Sequence, residues 1–285
     1  MQKLINAGFE VIDNPYKRKL TKEELLALIP GVEGLISGLE TLDREVLEKS
    51  CLKVVSRCGS GLSNVDLAAA KKLGILVKNT PLAPVNAVAE LTVGCLIILL
   101  RQVMQMNTSL HRKEWKKIVG RQLSDMTVAI VGFGNIGRRV ARFLLAFGAK
   151  IIAVDPVFSG IIDNVEIVSL EKALKQADII SIHTNGESCL LGEKEFSLMK
   201  HEVFILNVAR GGLIDEQMLK KALDCKLVSG AWLDTFSVEP YTGIFCDYPQ
   251  VLLTPHVGSY TLECRKNMEM EAVNNLIAGF DEYGK

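Results

Sequence analysis

The sequence lacks the features that would commit it to a membrane, a nucleic acid or a metal. Its most apolar stretch, residues 93–100, falls well short of the ~20 residues needed to span a bilayer. Lys plus Arg and Asp plus Glu each number 33, so the net charge is zero. No run of like charge offers a surface to polyanions. The four histidines show no metal-ligand spacing, and no cysteine stands near them in a zinc pattern, so no metal is implied. The seven cysteines, at 51, 58, 95, 189, 225, 246 and 264, are odd in number, scattered, and without a C-x-x-C pair. Cys95 and Cys225 read as buried, and together these features predict reduced thiols in the cytoplasm. Residues 1–13 carry no signal-peptide pattern, and no internal repeat or low-complexity segment appears.

What is present centres on residues 127–156, TVAIVGFGNIGRRVARFLLAFGAKIIAVDP. Small and β-branched residues at 127–131 run straight into Gly132. The apolar period then turns helical, with Ile136, Val140, Phe143, Leu144 and Phe147 on one stripe. Gly148 ends that helix, and a second apolar run at 151–154 stops on Asp155. This is a βαβ unit. Its glycines fall as G-x-G-x-x-G at Gly132, Gly134 and Gly137, for the tight turn, the approach of a pyrophosphate and the close packing of helix on strand. Asn135 and Ile136 open the helix, whose N-terminus favours phosphate. Asp155 stands where a carboxylate accepts hydrogen bonds from an adenosine ribose. A 2′-phosphate there would meet negative charge, and Pro156, not an arginine, follows, which selects NAD over NADP.

At 285 residues the chain suits two domains. Residues 1–84 alternate short helices and strands: helices at 3–7, 22–29 (opened by a Thr21–Glu24 capping box), 41–48 (Thr41 as cap) and 64–73, and strands at 9–12, 32–36, 53–56 and 75–78. Such alternation predicts a parallel sheet with helices on both faces. Because the domain starts on a helix, a preceding strand, some 20 residues with its loop, is expected to be missing. After Pro81 and Pro84, residues 87–111 read as one long helix, apolar almost all round, buried between domains or against a second copy of the chain. Beyond Asp155, strands are expected at 165–168, 178–182, 203–208, 229–233 and 251–253, and helices at 170–176 and 216–223, the latter capped by Asp215. A last helix, 261–280, closes the chain and folds back onto the first domain.

Three stretches follow strands, where open α/β sheets bind ligands: Asn207-Val-Ala-Arg210-Gly-Gly, Leu233-Asp234-Thr-Phe-Ser-Val-Glu239-Pro240 and Thr254-Pro-His256-Val-Gly258-Ser. Arg210 offers a fork of donors suited to a carboxylate. His256 exchanges protons near neutral pH, and Glu239 would hold its ring and favour the charged form.

These stretches resemble the D-isomer-specific 2-hydroxyacid dehydrogenase family, in its phosphoglycerate dehydrogenase-like branch. So do SRCGSGLSNVDLAAAKKLGILVKNTP at 56–81 and AVAELTVG at 87–94. The resemblance implies an α/β fold: a Rossmann-type NAD-binding domain at 85–261 and a smaller flavodoxin-like substrate domain at 1–84, completed by helix 262–285, with the active site in the cleft between them. It implies an NAD-dependent enzyme interconverting a small D-2-hydroxy acid and its 2-oxo acid, with phosphoglycerate, glycerate/hydroxypyruvate and glyoxylate as candidates in that order. A non-catalytic NAD-sensing relative and a truncated inactive one are the alternatives. His256 would be the general acid and base, Glu239 its partner, and Arg210 the group that binds the substrate carboxylate and polarises its carbonyl. Gly59, Ser60 and Gly61 would bind the carboxylate through their amides, and Arg57 would help hold a substrate phosphate. Asp234 would orient the nicotinamide; His183, Ala209 and Gly258 would border the cofactor. A homodimer through the 87–111 region is expected.

Two departures from the family pattern stand out. Residues 183–196 are shorter than the usual loop and lack the Pro and Thr of its His-x-Pro-x-Thr, which would alter cofactor affinity. Residues 37–40, Ser-Gly-Leu-Glu, lack an arginine that in several phosphoglycerate dehydrogenases helps hold the substrate phosphate.

Overall fold

The structure, a computed structural model, describes residues 1–186 and 188–283. Glu187 of the 183–196 loop and the last two positions of the expected 262–285 helix lie outside the described residues. The chain divides into two compact units, Met1–Pro84 with Tyr260–Lys285, and Val85–Ser259.

In the smaller unit, helices α1 (Gln2–Asn6), α2 (Lys22–Leu28), α3 (Arg44–Glu48) and α4 (Leu67–Lys72) alternate with strands β1 (Gly34–Ser37), β2 (Val54–Arg57) and β3 (Leu76–Asn79). The strands form a parallel sheet in the order β1-β2-β3. Alternate residues of β2 face opposite ways, as a pleated strand requires. Val55 packs with Leu25, Val46, Leu47 and Ala70, whereas Val54 packs with Leu4, Val273 and Leu276 of the C-terminal helix Leu262–Tyr283. The capping box opens α2: the Thr21 hydroxyl accepts from Glu24 N–H, and the Glu24 carboxylate accepts from Thr21 N–H.

Three expectations fail in this unit. Residues 9–12 are not a strand, because a strand exists only with a paired neighbour. Here Phe9 and Val11 pack onto the C-terminal helix instead, Phe9 edge-on to Phe280. Helix α3 starts at Arg44 under an Asp43 cap, not at Thr41, and α4 starts at Leu67 under Asp66. Asp outcompetes the expected starts because its carboxylate reaches the third amide of the following turn.

The larger unit begins with α5 (Val85–Leu100) and α6 (Val103–His111), where one helix was expected. The chain bends by 66° between them, and Gln102 takes a left-handed backbone at φ 51°. Helix α5 is buried within its own unit, packed on α7 and β10 described below, whereas α6 buries no residue. Among the described residues no single helix is long and apolar enough to cross a membrane. The sheet follows: β4 (Thr127–Val131), α7 (Asn135–Ala146), β5 (Lys150–Val154), β6 (Gly160–Ile162), β7 (Val165–Ile167), α8 (Leu170–Gln176), β8 (Ile179–Ile182), α9 (Glu193–Ser197), β9 (Val203–Asn207), α10 (Glu216–Asp224), β10 (Val228–Leu233) and β11 (Val251–Leu253).

Strand order is β11-β10-β9-β8-β4-β5-β7-β6, parallel throughout except for β6 against β7. From β4 the chain works outward through β5 and β7, then returns to the other side of β4 to lay down β8. The order therefore reverses between β4 and β8, and that crevice is where open α/β sheets hold their ligands. Two expectations are corrected here. Phe147 lies past the end of α7 and is 51% exposed, so it leaves the buried stripe of Val140, Ala141 and Leu144. Cys225 is exposed, unlike Cys95.

Candidate active site

The glycine-rich turn sits at the reversal point. Gly132 has φ 96° and lies against the backbone of His183 and Thr184, whose segment leaves β8 with His183 N–H donating to Val131 C=O at 2.7 Å. A methyl group on Gly137 would stand 2.1 Å from the Gly132 carbonyl oxygen, so only glycine lets α7 come this close to β4. Gly134 is different: its surroundings are open, and as N-cap of α7 it supplies no side chain to bond the first helical amides. Those amides, Asn135 and Ile136 among them, are the donors a pyrophosphate needs. Asp155 bridges the ends of β4 and β5, accepting from Phe133 N–H (2.8 Å) and Val157 N–H (2.9 Å), ahead of exposed Pro156. Each carboxylate oxygen keeps a lone pair for a ribose hydroxyl. An open turn, an uncapped helix start and an anchored carboxylate fit NAD.

His183, one of the expected cofactor neighbours, is held from within. Its Nε2 lies 2.8 Å from the Ser181 hydroxyl, and its Nδ1 is sealed without a partner. Burial pushes the imidazole down to about 3, so it is neutral at physiological pH.

Three loops at the ends of β9, β10 and β11 carry the remaining residues, and they are bonded to one another. Asn207 shapes the first: its side chain accepts from Ala209 N–H (3.1 Å) and donates to Arg210 C=O (2.8 Å), while its own carbonyl accepts from Asp234 N–H (2.9 Å). Arg210 is half-buried, with Nη1 donating to Ala209 C=O at 2.7 Å. Gly211 then passes directly over the second loop. A methyl group there would fall 1.9 Å from the carbonyl carbon of Phe236 and 2.2 Å from the Ser237 nitrogen.

In the second loop Phe236 N–H donates to Glu239 Oε1 at 3.1 Å, which aims the carboxylate at the third loop. His256 Nδ1 stands 3.0 Å from Glu239 Oε2 and 3.2 Å from Oε1. Both side chains reach solvent, His256 at 53% exposure and Glu239 at 38%. Glu239 occupies Nδ1, so Nε2 is the nitrogen left for a reacting group. His256 itself has a left-handed backbone, φ 52°, unusual for a residue with a side chain.

Asp234, 1% exposed, has its carboxylate turned onto the third loop. It accepts from the Thr254 hydroxyl (2.6 Å), Val257 N–H (2.9 Å) and Gly258 N–H (2.9 Å). The structure thus brings Arg210, Asp234, Glu239, His256 and Gly258 into one bonded cluster, with the Ala209 and Gly258 amides consumed inside it. Asn207, Gly211, Trp232 and Thr254 belong to this cluster too. The sequence marks them only by their place beside Arg210, Asp234 and His256.

In the smaller unit the 57–61 loop follows β2. Arg57 Nη1 donates to Cys58 C=O at 2.7 Å, and Asn79 Nδ2 donates to Ser60 C=O at 2.7 Å. Gly59, φ 143°, gives its amide to the Thr80 hydroxyl at 2.7 Å. Of the three amides expected to bind a carboxylate, Gly59's is therefore spent, and those of Ser60 and Gly61 remain. Burial raises the Cys58 thiol above its ordinary range, so it is no activated nucleophile.

Comparison with known proteins agrees with the fold described above. Residues 93–258 match the family model of the D-isomer specific 2-hydroxyacid dehydrogenase, NAD binding domain. The chain is 37% identical to the hydroxypyruvate reductase of Thermotoga maritima over 276 residues, covering 93% of this chain and 89% of that one. It is 37% identical to the D-3-phosphoglycerate dehydrogenase of Sus scrofa over 273 residues, 92% of this chain but only 51% of that one. It thus spans about half the length of the phosphoglycerate dehydrogenase. Among solved structures, a glyoxylate reductase from Paecilomyes thermophila superposes with a TM-score of 0.83 at 32% identity, covering 90% of this chain and 85% of that one.

Proposed function

The chain belongs to the D-isomer-specific 2-hydroxyacid dehydrogenase family, and from that premise we propose that it is an NAD-dependent oxidoreductase interconverting a small D-2-hydroxy acid and its 2-oxo acid. The observation that carries the reading is His256 Nδ1 held at 3.0 Å by Glu239, on exposed loops that follow strands of the same sheet as the glycine turn. NAD, when bound, supplies or accepts the hydride. The chain's own residues handle the proton and the charge. In reduction His256 Nε2–H protonates the ketone oxygen, and in oxidation the neutral ring removes the hydroxyl proton. Glu239 fixes which nitrogen does this and stabilises the charged ring. Arg210 binds the substrate carboxylate and meets the negative charge that develops on oxygen with donors already in place. Arg57, Ser60 and Gly61 of the smaller unit are assigned to the substrate as well.

Hydroxypyruvate and glyoxylate rank ahead of 3-phosphohydroxypyruvate as substrate, the reverse of the order that the family resemblance implies. Two observations support that order. The likeness runs nearly end to end with a hydroxypyruvate reductase. In addition, Glu40 sits at the end of β1, bonded to Gly38 N–H at 2.8 Å, in the turn beside the strand that leads into 57–61. Its charge disfavours a phosphorylated tail. The enzyme works in the cytoplasm; its seven cysteines, all free, are in keeping with a reducing compartment. It is a homodimer, whose interface covers the apolar residues that α6 and the segment after it leave exposed, Val103, Met104, Leu110, Trp115 and Val119. Sedimentation of the purified chain tests this, and a monomer at micromolar concentration refutes it.

The functional test is NADH oxidation against glyoxylate, hydroxypyruvate, 3-phosphohydroxypyruvate, pyruvate and 2-oxoglutarate. Turnover is expected with one of the first two, and with NADPH at least about tenfold slower because of Asp155. Bound NADH with no acid turned over overturns the reading.

A further inference from the structure

Asp234 is a buried carboxylate with three donors, but only two of them come from the backbone of the His256 loop. The third is the Thr254 hydroxyl, 2.6 Å away. That hydroxyl is also 2.9 Å from the indole nitrogen of Trp232, a residue fully buried in β10. The direction of this chain of bonds is forced. An indole N–H can only donate, so the Thr254 oxygen accepts it, and its single proton goes to Asp234. A short bond onto a carboxylate is of the strong, charge-assisted kind.

The far end of the chain is His256. Its left-handed backbone is disfavoured for a residue with a side chain, and such a conformation persists only where its surroundings over-determine it. The surroundings here are the amides that follow it: Val257 and Gly258 both donate to Asp234, while His256 N–H turns back to Thr254 C=O at 2.9 Å. This backbone brings Nδ1 to Glu239.

We propose that Thr254 and Trp232 are positioning residues for the acid–base step. Trp232 N–H orients the Thr254 hydroxyl onto Asp234, and Asp234 holds the amides that keep His256 aimed at Glu239. The inference rests on the functional reading above for the identity of that step. Its geometry stands on its own bonds.

Thr254→Val keeps the shape and removes the hydroxyl, Thr254→Ser keeps the hydroxyl and removes a methyl, and Trp232→Phe removes the indole N–H. With NADH and glyoxylate or hydroxypyruvate, Thr254→Val is expected to lower kcat about tenfold, as misplacement of a catalytic group does, with KM and NADH affinity within about twofold. Thr254→Ser restores kcat to within about twofold, and Trp232→Phe loses about threefold, because the hydroxyl keeps its bond to Asp234. A residue that only fills space would give the reverse: lower melting temperatures in both Thr254 variants with kcat unmoved. That result overturns the proposal.

A second readout needs no substrate. The imidazole resonances of His256, assigned through His256→Gln, are expected to shift in Thr254→Val in the same sense as in Glu239→Gln, and to return in Thr254→Ser. Unshifted resonances in Thr254→Val overturn the proposal. If no acid turns over at all, the functional reading falls, and the resonances alone decide the positioning.

Discussion

The glycine turn at 132–137 and the loop cluster around Asp234 lie at strand ends of one sheet, yet they are held by opposite means. The turn is held by missing side chains: Gly137 lets α7 approach Gly132 and Ile130 a few residues back, while Gly132 rests on the backbone of His183 and Thr184, far along the chain. The cluster is held by side chains that reach far along the chain: Glu239 to His256 across 17 positions, Asp234 to Thr254, Val257 and Gly258 across 20 to 24. A cofactor's phosphates are the same in every turnover, so a rigid backbone cradle serves them. A proton donor must stay aimed while exposed to solvent, and that takes a cross-braced set of loops. The glycine spacing of the first is written locally in the sequence, and the cross-bracing of the second is not.

The strongest way to break this contrast is Gly211→Ala. Its methyl would land on the Phe236–Ser237 backbone, forcing apart the loops that carry Arg210 and Glu239. Loss of kcat/KM by about a hundredfold is expected, with NADH affinity little changed; equal loss of both would mean the two regions are one. Gly137→Ala makes the complementary cut. NADH binding is expected to weaken about tenfold and the chain to lose about 1–3 kcal/mol of stability through overpacking, while the His256 resonances stay where they are.

A smaller effect comes from His183, whose ring is bonded to Ser181 of β8 and whose backbone packs on Gly132. Its folded-state value lies near 3, below the ordinary 6.5. Below pH 6.5 the unfolded chain therefore binds a proton that the folded one refuses. Stability is lost as pH falls from about 6.5 toward 3, by about 1–2 kcal/mol between pH 7 and 5. Urea unfolding at the two pH values measures it, and His183→Phe should flatten the difference. Smallest of all is the thiol pattern. Cys95 lies buried in α5, within range of the Asp234 charge, and its thiol is pushed up to about 12. It should stay unlabelled by a thiol reagent at pH 8 while exposed Cys51, Cys189, Cys225 and Cys246 react. Labelling of Cys95 at their rate would mean that the Asp234 cluster opens readily.

The same division governs what could be read from the chain. Helix α8 and strand β11 have the boundaries their patterns suggest, and the Asp215 side chain caps α10, because capping and periodicity are local. No Gly or Pro marks the break at Gln102, and only the polar pair Arg101-Gln102 interrupts the apolar residues on either side. Residues 9–12 have the composition of a strand, but a strand is made by its neighbour. The hairpin β6–β7 turns on Asp163 and Asn164, both left-handed, a signal present in the sequence and missed. In the site, Arg210, Glu239 and His256 could be singled out by type and position after strands. The duty of Asp234 toward the 254–258 loop, and the spent amides of Gly59 and Ala209, appear only once distant residues are in contact.

The most direct measurement is NADH affinity and single-turnover rate in His256→Gln, taken side by side with the unaltered chain. The expected result is a hydride-transfer rate lower by about a thousandfold, the scale of general acid–base catalysis, with NADH bound within about threefold of the original. A rate within tenfold of the original would remove His256 from the proton step, and with it the division of labour between the glycine turn and the Asp234 cluster.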